Sequence, residues 1–161
     1  MFISGFAGTG KTTLLHTLAQ QFPQYAYQDL DDLYRETSCH VLPEAKVCMQ
    51  QTIDACVARH TKPLILGGVN FLGNDLQAEH YIVLNTSSWR VAWRLWHRAT
   101  VYGENRWRAW QGLYYTWIFK NVLVQQGFVS MTAQEIEAYL ESGQRTGLVP
   151  ALIEKQERIQ K

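Results

Sequence analysis

The run Gly5-Phe6-Ala7-Gly8-Thr9-Gly10-Lys11-Thr12 fits the pattern Gly-x-x-x-x-Gly-Lys-Thr in full. By chance, a chain of this length meets that pattern roughly one time in two hundred. The residue types suit one task, the holding of phosphate. Glycines let the backbone wrap an anion without side-chain clash, and the N–H groups of the loop and of a following helix favour negative charge there. Gly5, Ala7, Gly8, Thr9 and Gly10 therefore read as the cradle. Lys11 reads as a mobile charge for the outer phosphates, and the Thr12 hydroxyl as a ligand for Mg²⁺. Thr13 adds a further hydroxyl on the helix.

Three other groups could share that chemistry. Asp29 and Asp31 follow an aromatic segment, Tyr25-Ala26-Tyr27, that reads as a strand. Ligands of a parallel α/β sheet bind at the carboxyl ends of its strands, so both carboxylates are expected to face the phosphate loop. One could hold a water of the Mg²⁺ shell, and the other could orient or deprotonate a hydroxyl acceptor. Asp32 is the weaker candidate, because it turns away if a helix starts there. Gly67-Gly68 closes another apolar segment at the same rim, where it serves either a close backbone approach to a ligand or an ordinary tight turn. Asn70 and Phe71 could line that mouth.

The third group is basic and aromatic. All six tryptophans lie between Trp89 and Trp117. Trp89, Trp93 and Trp96 recur at helical spacing, and Arg90, Arg94 and Arg98 recur every four residues beside them. Arg106 and Arg108 follow. Residues 86–120 contain six Lys or Arg and one acidic residue, Glu104, in a chain whose net charge is +1. Phosphoryl transfer needs positive charge on the moving group and a segment that closes to exclude water, so Arg94, Arg98, Arg106 and Arg108 are candidates for that role. Arginine with aromatics also suits single-stranded nucleic acid, which is kept as a secondary option. The tryptophan stripe itself is expected to pack in the core.

These groups need elements to position them. Met1–Ser4 reads as a buried first strand and Lys11 to about Phe22 as a helix, stopped by Pro23. A helix over about 43–59, a third strand at Pro63–Leu66 and a fourth at His80–Leu84 follow. Thr86, Ser87 or Ser88 can cap the next helix. Helices are expected over about 87–101, 110–125, 132–142 and 147–159, and Gly127-Phe128-Val129 is the one candidate for a fifth strand. Alternation of strand and helix predicts a three-layer α/β/α fold with a mainly parallel sheet of four or five strands. One domain over 1–142, with a lid at about 99–112, and a C-terminal helix or tail over 143–161 are expected.

The composition, 47% hydrophobic and 18% charged over 161 residues, is that of a globular chain rather than a disordered one. No basic stretch precedes an apolar run, and no window reaches the ~20 apolar residues of a membrane span. A cytoplasmic protein is expected, with Cys39, Cys48 and Cys56 as reduced thiols. The five histidines show no metal spacing. The sequence carries no signal for or against self-association.

The order of these parts resembles the small P-loop kinases, the group holding shikimate kinase, gluconate kinase and the nucleoside monophosphate kinases, over about residues 1–120. The resemblance rests on the phosphate loop, Asp29-x-Asp31, Gly67-Gly68, and Arg98 and Arg106 around a lid. It implies that Asp29 serves the metal, Asp31 the acceptor, Arg98 the adenine and Arg106 the transferred phosphoryl group. Val69 stands where shikimate kinases have a third substrate-contacting glycine, and their acceptor-carboxylate arginine has no clear counterpart. An acceptor other than shikimate is expected.

The function expected is thus an ATP- and Mg²⁺-dependent phosphotransferase acting on a small nucleotide, nucleoside or hydroxyl metabolite. The alternatives are a slow nucleotide-dependent switch and a polynucleotide 5′-end kinase. No Asn-Lys-x-Asp base-recognition motif occurs, which disfavours a GTPase.

Overall fold

The computed structural model describes residues 1–36, 45–69, 78–101, 103 and 106–146. The apolar start of the chain forms β1 (Phe2–Ser4), fully buried, and the phosphate loop leads from it into α1 (Lys11–Gln21). Gly10 caps that helix at φ 92°, a left-handed geometry that glycine adopts without strain. Pro23 follows the last turn. Then come β2 (Ala26–Asp29), α2 (Leu30–Glu36), α3 (Ala45–Arg59), β3 (Leu64–Gly68) and β4 (Tyr81–Leu84). The second half consists of α4 (Ser88–Val101), α5 (Arg106–Gln125), β5 (Val129–Met131) and α6 (Ala133–Thr146).

The five strands make one parallel sheet in the order β2-β3-β1-β4-β5. The fifth strand exists, beginning at Val129. Alternation along β1 feeds two cores. Ile3 joins Leu14, Leu15 and Leu18 of α1 and Ile136 and Leu140 of α6 on one face. Phe2 joins Leu30 and Leu33 of α2 and Ile53 and Cys56 of α3 on the other. The three-layer α/β/α P-loop fold expected from the sequence is the one observed.

The starts of α4 and α6 carry side-chain caps. The Ser87 hydroxyl accepts from Arg90 N–H at the head of α4. Thr132 and Glu135 bond reciprocally at the head of α6, with Thr132 N–H donating to Glu135 Oε2 at 2.7 Å, which is a capping box. α6 runs through Gly143 to Thr146, past the division expected at 142/143. The helix expected over 147–159 lies outside the described residues.

Several expectations change. Of the segment expected as a lid, about 99–112, residues 99–101 belong to α4 and 106–112 to α5, and the two helices pack against each other. A methyl group on Gly112 of α5 would sit 3.0 Å from Leu95 Cδ1 of α4, so the two helices approach closely at that glycine. The tryptophans are not core residues. All six are exposed, from 39% at Trp96 to 77% at Trp89. The aliphatic positions of α4, Val91 and Ala99, turn inward instead. Cys56 is a free, buried thiol, whereas Cys48 is disulfide-bonded. Pairing depends on what the fold brings together, which spacing alone did not show.

Gly67 and Gly68 form the buried end of β3, at the end of the strand where the sequence put them, and not a turn beyond it. A Cβ on Gly67 would run into Leu15 of α1, and one on Gly68 would lie 2.7 Å from Leu30 Cβ of α2. Close helix packing on both sheet faces therefore leaves little room for a side chain at either position. Gly68→Ala is expected to destabilise the protein by about 1–3 kcal/mol through overpacking. A thermal melt checks this.

Candidate active site

β1 lies between β3 and β4, so the loop that leaves it opens at the centre of the sheet's carboxyl edge. Thr9 braces the loop from within: its hydroxyl donates to the Phe6 carbonyl at 2.8 Å, and the side chain is buried. Thr86, just after β4, donates its hydroxyl to the Thr9 carbonyl at 2.7 Å. Phe6 stacks obliquely toward Tyr115 and Phe119 of α5, with centroids 6.4 and 6.1 Å away. α4 closes over the loop. A Cβ on Gly8 would meet Leu95 at 3.1 Å, and Arg94 Nη1 donates to the Gly8 carbonyl at 3.2 Å.

Beside the loop, Lys11 Nζ donates to both oxygens of Asp29, at 3.1 and 3.2 Å, and more distantly to Asp31 Oδ2 at 3.4 Å. The Thr12 hydroxyl donates to Asp29 Oδ2 at 2.8 Å. Asp29 ends β2 and accepts the Asp31 N–H at 3.0 Å, which caps the start of α2. Burial separates the two acids: the Asp29 side chain is 7% exposed and that of Asp31 51%. Asp29 is thus a fixed, inner carboxylate, and Asp31 a solvent-facing one at the rim. Among the described residues, no group of three or more His, Cys, Asp or Glu is placed to hold a metal ion.

Two cavities flank the loop. The first, about 460 Å³, is lined by Gly5, Ala7, Gly8, Gly10, Lys11, Thr12 and Thr13, and is completed by Phe6, Asp31, Val69, Arg94 and Arg98. The second, about 520 Å³, lies on the other side, between Thr13 and Thr17 of α1, Asn85–Ser87 after β4, Arg90 and Arg94 of α4, and Thr132–Gln134 at the head of α6. Arg94 borders both.

No protein-family profile matches the sequence, and no curated protein matches it. The fold has solved counterparts. A shikimate kinase from Bacteroides thetaiotaomicron superposes with a TM-score of 0.59 at 18% identity, over 91% of this chain and 97% of that one. The chain shares the fold of that enzyme.

Within that fold, Asp31 and the loop residues named from sequence other than Thr9 come together on one cavity, with Asp29 bonded to Lys11 and Thr12 behind it. Arg98 borders the first cavity and not the second. Arg106 and Arg108 fall in the first turn of α5, but their side chains lie outside the described residues, as do Asn70 and Phe71. The sequence reading missed Thr86, Asn85 and the Thr132–Glu137 segment. Thr86 was read only as a helix cap. Its position two residues past the end of β4, the strand beside β1, was the available signal. Lys120, one of the six basic residues of 86–120, is engaged elsewhere: it donates to Asn85 Oδ1 at 2.7 Å, tying α5 to the end of β4.

Thr86→Val keeps the side-chain shape but leaves the buried Thr9 carbonyl without this donor. A loss of about 1–3 kcal/mol is expected, read as a lower Tm.

Proposed function

We propose that the protein is an ATP-dependent phosphotransferase that moves the γ-phosphoryl group to a hydroxyl acceptor of small-molecule size, such as a nucleotide, nucleoside or hydroxyl metabolite. What carries this reading is the convergence of Lys11, Thr12 and Asp31 on one cavity, with Asp29 buried behind them. A structural turn would not gather a cation, a hydroxyl and two carboxylates around glycine backbone.

ATP is assigned across the loop, its phosphates along the first cavity and its base in the second, beside Arg94. Mg²⁺ fits the donor set. The Thr12 hydroxyl and the Asp29 carboxylate are hard oxygen donors, and such an ion takes most of its remaining ligands from phosphates and water. When bound, it would offset charge on the β- and γ-phosphate oxygens. Lys11 serves the outer phosphates, exchanging its carboxylate partners for them. Arg94 and Arg98 add positive charge on the side facing the acceptor, where charge develops in the transition state. Asp31 orients the acceptor hydroxyl and takes its proton. Catalysis in this scheme is mainly positioning and charge stabilisation.

The test is thermal melting with ATP or GTP and Mg²⁺, followed by a screen of hydroxyl acceptors for ADP release. Acceptor-dependent ADP formation supports the phosphotransferase. ADP formed at one slow rate with every acceptor, and with none, would favour a nucleotide-dependent switch instead.

A further inference from the structure

The exposed tryptophans have a place in the geometry. Trp89, Trp93 and Trp96 of α4 and Trp110 and Leu113 of α5 line an apolar cleft of about 280 Å³. Trp93 is also a wall of the neighbouring cavity, about 570 Å³, which it forms with Arg94, His97 and Arg98. Arg94 and Arg98 in turn wall the cavity at the phosphate loop. A continuous track therefore leads from the loop, past two arginines, onto a face of tryptophan.

The charge of the helix pair selects among occupants. α4 and α5 contain no Asp or Glu, while α4 carries three arginines and α5 two arginines and a lysine. The chain has 14 acidic residues, yet none falls in these two helices. A surface of flat aromatics beside arginines, without acid, offers stacking faces and phosphate partners together. An apolar protein groove would need the aromatics but not this charge.

We propose that the acceptor is the terminal hydroxyl of a single-stranded polynucleotide, with its end nucleoside in the first cavity and the following bases stacked along the tryptophan cleft. This rests on the phosphotransferase reading and goes beyond it, replacing the small-molecule acceptor with the end of a nucleic-acid strand. In the reaction, the terminal hydroxyl oxygen bonds to the γ-phosphorus. The bond from that phosphorus to the bridging oxygen breaks, its electron pair leaving with ADP. The hydroxyl proton passes to the Asp31 carboxylate.

The experiment uses the full chain and short single-stranded DNA and RNA oligonucleotides. One set carries a 5′-hydroxyl and a blocked 3′ end, and another a 5′-phosphate and a free 3′-hydroxyl. A matched blunt duplex is the third arm. Binding is read by quenching of tryptophan fluorescence, and transfer by label from γ-labelled ATP. The single strands should bind and one terminal hydroxyl should become labelled, while the duplex binds at least tenfold more weakly. Neutralising about three phosphates predicts roughly 20-fold weaker binding between 50 and 200 mM salt. Trp93→Ala should weaken oligonucleotide binding about tenfold or more, and Trp93→Phe should recover most of it. The ligand-free Tm of both variants, taken beside wild type, separates a lost stacking face from a lost fold. Equal binding of duplex, binding without labelling, or unchanged binding in Trp93→Ala would each overturn the proposal. If Mg²⁺-ATP raises Tm and small hydroxyl acceptors are phosphorylated while oligonucleotides are neither bound nor labelled, this inference fails and the phosphotransferase stands. Absence of any ATP response in the wild type would instead remove the underlying reading.

Discussion

Lys11→Ala is expected to abolish the rise in Tm that Mg²⁺-ATP produces in the wild type. For comparison, a ligand at 100 times its Kd stabilises a protein by about 2.7 kcal/mol, so the signal at stake is large. The variant also tests what the lysine does without nucleotide. Lys11 and Asp29 are both buried, and the pair is joined through both carboxylate oxygens. Removing the cation leaves Asp29, among the described residues, with the Thr12 hydroxyl and the Asp31 N–H as its side-chain partners. Breaking a buried pair in this way costs about 3 kcal/mol, which at this chain length lowers Tm by roughly 6–12 °C. Adding Asp29→Asn to Lys11→Ala should recover part of that Tm without restoring the ATP response. A full ATP-induced rise in Lys11→Ala would refute the assignment of the phosphate loop.

The second large effect is expected from Asp31→Asn, which should reduce turnover by roughly 10²–10⁴-fold while leaving ATP binding nearly intact. The range is that of a lost general base. The separation of effects follows from burial. Asp31 is half exposed at the rim, 3.4 Å from Lys11, and an ion pair there contributes little to stability. Its proposed work lies with the acceptor. Measuring kcat alongside the ATP-induced change in Tm tests this. An equal loss of both would place Asp31 with the nucleotide instead.

The parts of the site that were legible in the sequence are those determined by local order. The loop from Gly5 to Thr12 is a contiguous motif, and a strand running into a helix is enough to put Asp29 and Asp31 at the sheet's carboxyl edge. Gly67 and Gly68 were harder. Their neighbours Leu15 and Leu30 belong to helices on opposite faces, and nothing nearby in the chain announces either. In α4 the periodicity was plain, but periodicity states only that the faces differ, not which is buried. Trp is the larger hydrophobe, yet the stripe that packs inward holds Val91 and Ala99, with Leu95 against Gly8 and Gly112. Smaller aliphatic side chains let α4 approach both the phosphate loop and α5, which tryptophans at those positions would hold apart. Thr86, Asn85 and Thr132 escaped notice because their roles exist only once β4 and β5 lie in register beside the loop.

The central position of β1 also bears on how the molecule is assembled. Phe2 is aligned with Leu66 on one side and Tyr81 on the other, so neither flank of the first strand exists until more than a third of the chain has been made. Parallel pairings of such long range are slow to form, because a large loop must close before any contact repays it. A nascent or truncated chain ending before Tyr81 would carry every residue of the phosphate loop and lack one of the two strands that hold it in place. The most local signature in the sequence thus depends on the least local pairings in the fold, and nucleotide affinity should arise late in folding, as a property of the nearly complete sheet.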